Sequence, residues 1–161
     1  MRYANRSELP PSPPAGTERS GGVFGGYVVE DQVGFLLRRA HQRHTAIFAG
    51  GMTGADLTPT QFTALIKIVE LKRVTQNQLG RLSAMDPATI QGVVRRLMDR
   101  SLVTRTADPS DRRTIVLAPA PAGVALAAQA VIEARQITQA TLDPLTGDEQ
   151  QHLLALLRKL G

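Results

Sequence analysis

Gln91 and Arg95 lie four residues apart in a stretch, Asp86 to Arg100, where Ile90, Val93, Val94, Leu97 and Met98 recur at helical spacing. One face of such a helix packs, and Ala88, Gln91, Gly92, Arg95 and Asp99 fall on the opposite face. Small residues near its start let a backbone approach closely. A Gln with an Arg one turn later can then reach base edges in a major groove. Taken alone, the same pattern is that of an amphipathic surface helix with solvated arginines, so context decides.

Two further groups of residues carry chemistry. About ten residues after that helix, Asp108-Pro109-Ser110-Asp111-Arg112-Arg113 is turn chemistry tipped with two cations. Arg112 suits a minor groove, where the negative potential of a duplex is strongest, with Asp108 and Asp111 holding its neighbours. As a plain surface turn these residues would be unremarkable; their position behind the helix singles them out. Nearer the amino terminus, Arg38, Arg39, His41, Arg43 and His44 fall within two helical turns. Guanidinium groups pair a ligand carboxylate, and imidazoles bond a ring hydroxyl or nitrogen. Arg38, His41 and His44 are the candidate ligand contacts, with Phe48 and Met85 as apolar wall. Solvation or intersubunit ion pairing is the competing account of any one of them.

Other chemistries find little support. His41 and His44, three apart, could share a cation, but no cysteine and no nearby acidic-x-x-His pattern completes a site, and no metal or cofactor is expected. The absence of cysteine also excludes thiol catalysis and cysteine-based oxidant sensing. No GxSxG, P-loop, HExxH or Gly-rich nucleotide fingerprint occurs, and an enzyme is not expected. A net charge of +5 favours a polyanionic partner, although many basic proteins bind no nucleic acid. No apolar run approaches the roughly 20 residues that cross a bilayer, and prolines at 10, 11, 13 and 14 interrupt any signal helix. The expected location is the cytoplasm, with no membrane partner.

The elements that must position these residues follow from start and stop signals. Residues 1–26 are Pro/Gly/Ser-rich and aperiodic, and read as a flexible arm, either a plain extension or one that embraces a dimer or touches DNA. Val29, Val33, Leu36, Leu37, Ala40, Ile47 and Phe48 give a long first helix that Gly50-Gly51 closes. Thr58-Pro59-Thr60-Gln61 starts a second helix, Thr75 with Gln78 a short one over 76–82, and Asp86-Pro87 a longer one over 87–100. Residues 102–106 and 113–117 are β-prone and make a hairpin around the Asp108–Arg113 turn. Helices over 121–142 and from the Thr146/Glu149 capping box to Leu160 complete a mainly α chain of four helices, a hairpin and two helices. The last helix carries Leu153, Leu154, Leu156, Leu157 and Leu160, more apolar surface than a lone terminal helix leaves in water.

A short helix, a tight turn around Ser83-Ala84-Met85, a second helix and a hairpin form a winged helix-turn-helix. Leu57-Thr58-Pro59-Thr60-Gln61-Phe62, Gln78-Leu79-Gly80, Ala88-Thr89-Ile90 with Val94 and Leu97, the glycine-free Ser101-Leu102-Val103 and above all Asp108-Pro109-Ser110-Asp111-Arg112-Arg113 together resemble the MarR family, over about residues 28 to 160. The resemblance implies a repressor that binds a palindromic operator in double-stranded DNA as a homodimer, formed by the first and last two helices. Residues 27–161 are then one domain, with the winged helix-turn-helix over 57–118 and dimer helices over 27–56 and 119–161. The same resemblance makes Gln91 and Arg95 base readers, with Ala88, Thr89 and Gly92 around them. It makes Arg112, beside Arg113, the wing arginine, and sets Thr75, Gln76, Gln78 and Ser83 at phosphates. One departure is Ala118-Pro119-Ala120-Pro121-Ala122-Gly123, which stands where a single Thr-Pro-Ala-Gly would lead into the fifth helix. It leaves the register there open by about two residues and removes an N-cap hydroxyl.

Residues 30–44, 75–80 and 85–90 are similar to the nicotinate-degradation repressors within that family, which implies a small aromatic acid as effector, 6-hydroxynicotinate or another aromatic carboxylate. The effector cleft implied by the family lies between the dimer helices and the winged module. Regulation of another aromatic-acid or efflux pathway, and a sequence-indifferent architectural DNA-binding protein, are the competing functions.

Overall fold

Capping chemistry sets where the helices begin. Thr58 Oγ1 accepts from the Gln61 N–H at 3.3 Å while Gln61 Oε1 accepts from the Thr58 N–H at 2.9 Å, a reciprocal box that starts helix α2 (Pro59–Leu71). Thr75 Oγ1 accepts from the Gln78 N–H at 3.2 Å and starts α3 (Gln76–Leu82). Asp86 caps α4 (Pro87–Asp99), and a Thr146/Glu149 box precedes α6 (Gly147–Leu160). Helix α5 (Pro121–Leu142) follows Ala120 with no side-chain cap, as the missing hydroxyl in the sequence requires.

This computed structural model describes residues 25–108 and 114–160. The expected arm over 1–26 lies outside the described residues except for Gly25 and Gly26, and the turn tip Asp111, Arg112 and Arg113 lies wholly outside them. The chain divides between Leu37 and Arg38 into two units. In the first, a 3-10 turn (Val29–Asp31) precedes the start of α1 (Val33–Gly51), where the sequence reading runs one helix from Val29. The reason is local: Gln32 is extended at φ −80° and ψ 139°, and its Nε2 donates to the Val28 carbonyl at 2.8 Å, which competes with helical pairing.

The second unit holds α1 from Arg38 onward and then, in order, α2, β1 (Val74–Thr75), α3, α4, β2 (Val103–Ala107), β3 (Ile115–Pro119), α5 and α6. Among the described residues, six α-helices and a small sheet make the mainly α winged helix-turn-helix expected. Leu65 and Ile68 of α2, Leu79 of α3, Leu97 of α4, and Val74 and Leu117 of the sheet are all at most 2% exposed, and join α2, α3 and α4 to the strands in one core. Phe48, Met52 and Ala55 join the same core as Ala127, Ala130 and Ile137 of α5.

The strands are antiparallel in the order β1-β3-β2, with Arg105 opposite Leu117 and Ala107 opposite Ile115. They begin one to two residues later than the sequence reading places them. Leu102 is held by helix-end pairing instead, its N–H donating to the Leu97 carbonyl at 2.9 Å after Ser101 turns to φ +56°. Its carbonyl accepts from the Ala120 N–H at 3.0 Å and packs so closely against Gly123 that a Cβ there would overlap it. β1 is a strand the sequence reading lacks, pairing Val74 with Leu117 and Thr75 with Val116. No helix among the described residues is long and apolar enough to cross a membrane.

Candidate nucleic-acid interface

Helix α4 has two chemically distinct faces. Ile90, Val93, Val94 and Leu97 are buried, whereas Ala88, Thr89, Gln91 and Arg95 are exposed and Gly92 is half-buried. The periodicity that singles out this face in the sequence therefore holds in space. A Cβ added at Gly92 would meet no heavy atom within 4 Å, so the backbone there is open to whatever approaches.

The first turn of α4 is closed by its own cap. Asp86 Oδ1 accepts from the N–H groups of Ala88 at 3.0 Å and Thr89 at 2.9 Å, and the Thr89 hydroxyl donates to Asp86 Oδ2 at 2.5 Å. The Thr89 hydroxyl first, and then these backbone bonds, hold the Asp86 carboxyl below its ordinary pKa. The amide donors at the helix start are thereby taken by Asp86, and the free face presents side chains rather than an anion cradle.

The phosphate set divides in the structure. Gln78 is exposed at the start of α3, Gln76 is half-buried, and Thr75 is engaged as the cap of that helix. Ser83 Oγ is buried without a hydrogen-bond partner among the described residues, so its hydroxyl faces inward in this conformation. Asp108, at the foot of the wing, donates its N–H to the Thr114 carbonyl at 2.8 Å, and its carboxylate lies 3.8 Å from Arg73 at the end of α2.

The residues proposed for a ligand are not all gathered in one place. Phe48 lines a groove of about 720 Å³ with Thr45, Met52, Leu57, Arg96 and Arg100, between the end of α1, the start of α2 and the end of α4. His44 stacks edge-on against Phe48, with ring centroids 6.1 Å apart, and Phe48 against Phe62 at 5.9 Å. Because the Thr141 hydroxyl donates to the Ile137 carbonyl at 2.8 Å, it accepts from His44 Nδ1–H at 3.0 Å, and Nε2 lies outside that bond. His41 is exposed. Met85 lines a different cavity, with Asn77, Gly80, Arg81 and Ile90 between α3 and α4. Arg38 is exposed on α1 and is not among the residues lining the Phe48 groove.

One connection has no counterpart in the sequence reading. At the end of α4, Arg100 donates to the carbonyls of Asp56 at 2.6 Å and Ala55 at 3.1 Å, while the Ala55 N–H donates to Glu133 of α5 at 3.4 Å. The loop between α1 and α2 is thus tied to both the end of α4 and α5. Partners 45 and 78 residues apart leave no periodic signal, so pattern reading could not find them.

Comparison with known proteins gives consistent matches. The MarR family profile matches residues 57–115. The HTH-type transcriptional repressor NicR of Pseudomonas putida is 40% identical over 134 residues, covering 83% of this chain and 85% of that protein. A probable transcriptional regulator from Pseudomonas aeruginosa superposes with a TM-score of 0.81 at 47% identity, over 83% of this chain and 100% of that one. BpsR of Bordetella bronchiseptica, whose structure addresses regulation of its DNA binding by 6-hydroxynicotinic acid, gives a TM-score of 0.81 at 39% identity, over 84% of this chain and 97% of that one.

Proposed function

The chain belongs to the MarR family and is a MarR-type transcriptional repressor, not an enzyme, and from that premise we propose that two copies bind one palindromic operator and leave it when a small aromatic acid binds. The observation that carries this reading is the split of α4, whose apolar side is buried while Ala88, Thr89, Gln91 and Arg95 stand exposed around an open Gly92. Gln91 and Arg95 read base edges in the major groove, and Arg112 enters the adjacent minor groove. Residues 57–118 act as the reading module, and the helices on either side join the two copies. Helix α6 supports the joining role, since it buries no residue within its own chain and leaves Leu153, Leu154, Leu156, Leu157 and Leu160 exposed.

The effector is an aromatic carboxylate, with 6-hydroxynicotinate first among candidates because BpsR is regulated by it. A ring fits the Phe48, Met52 and Leu57 wall of the groove, with Arg96 for its carboxylate. Arg100 lines the same groove and holds the Ala55 and Asp56 carbonyls, so an occupant that disturbs this clamp shifts the end of the reading helix.

A gel shift at fixed salt tests the reading, comparing the chain's own upstream region with random duplex. Selective retention of the upstream region, and its release by 6-hydroxynicotinate but not by nicotinate, salicylate or protocatechuate, is the expected result. Equal affinity for all duplexes would instead identify an architectural DNA-binding protein. Release by none of the four acids would remove the effector.

A further inference from the structure

Thr89 is exposed at the third position of α4, yet its hydroxyl is not free for hydrogen-bond donation. A hydroxyl has one proton, and that proton is committed to Asp86 Oδ2 at 2.5 Å. The same carboxylate accepts from the Ala88 and Thr89 N–H groups through Oδ1, so three donors of one turn fix the acceptor that takes the hydroxyl proton. Its remaining lone pairs lie beside a negative charge, which disfavours an approaching phosphate or carbonyl. The first turn of α4 thus offers no hydroxyl donor outward, and the apolar groups it presents next to Gln91 are the methyls of the exposed Thr89 and Ala88. Along the major-groove edges of base pairs, the thymine C5-methyl is the apolar group that such a surface fits.

We propose that Thr89, its hydroxyl locked by Asp86, is a specificity-determining residue that recognises a thymine through methyl–methyl contact and not through a hydrogen bond. The inference rests on α4 facing a duplex groove, and deepens that reading. Two substitutions separate the two halves of the side chain. Thr89→Ser keeps the hydroxyl and the bond to Asp86 but removes the methyl. Thr89→Val keeps the methyl and loses the hydroxyl.

The test titrates the full chain against a duplex recovered by in vitro selection, and against copies of it in which single thymines are replaced by uracil. For the unsubstituted chain, replacing a single thymine, at one equivalent position in either half-site, is expected to weaken binding about fourfold, the worth of one buried methyl. Thr89→Ser should bind thymine and uracil duplexes alike at that position, and Thr89→Val should still prefer thymine. Indifference of the unsubstituted chain to every uracil, or a thymine preference retained by Thr89→Ser and lost by Thr89→Val, would overturn the assignment while leaving the groove-facing helix intact. Failure of selection to yield any preferred duplex would instead overturn the reading of α4, and this inference with it.

Discussion

Gly92→Ala should move stability and DNA affinity in opposite directions. Gly92 is the sixth of 13 residues in α4, and a Cβ built there meets no heavy atom within 4 Å. In the unbound protein the substitution therefore adds a methyl without a clash, and replacing Gly by Ala in a helix interior is worth about 0.8–1.0 kcal/mol. For a chain of this length that corresponds to a rise in Tm of about 2–4 °C. In the proposed complex the same open space is the path by which the backbone would approach the base edges. An extra methyl in a close-packed contact costs about 1–3 kcal/mol, or about fivefold to a hundredfold in Kd. Thermal unfolding and fluorescence-anisotropy titration on one protein preparation read both quantities. A higher Tm with unchanged operator affinity would refute the placement of Gly92 at the groove, and a lower Tm would refute the open space itself.

Three other substitutions probe the supports of the interface. Gly123→Ala drives a Cβ into the Leu102 carbonyl that also accepts from Ala120; the overlap outweighs the gain in helix propensity, and a net loss of about 1–2 kcal/mol is expected in chemical denaturation. Ser101→Gly relieves a left-handed backbone at φ +56° and should stabilise the protein by up to about 1 kcal/mol in the same assay. Leu156→Asp places a charge at a residue that is 56% exposed within its own chain, and sedimentation should show monomers with lost operator affinity. A dimer that survives this change would remove α6 from the interface.

Local rules made much of this fold readable. Thr58, Thr75, Asp86 and Thr146 mark helix starts because each offers an oxygen to an otherwise unpaired N–H, and the structure uses all four. The division of α4 into a buried and an exposed face is equally legible, since burial follows the same 3.6-residue period as the apolar residues. What escaped depends on partners distant in sequence. β1 is two residues long, too short for any periodicity, and exists because β3 pairs with it. The Arg100 clamp joins residues 44 and 45 positions apart. Met85 and Phe48 are both apolar residues suited to a ligand wall, and only packing puts them at separate cavities.

The most direct test of the reading helix is to titrate the full chain and Gln91→Ala, at one salt concentration, against a preferred duplex and all its single base-pair variants. Loss of Gln91 should abolish discrimination at one position of each half-site, at a cost of about 1–3 kcal/mol, and leave preferences elsewhere unchanged. A uniform loss across all variants, or no change at any, would contradict base reading from this face of α4.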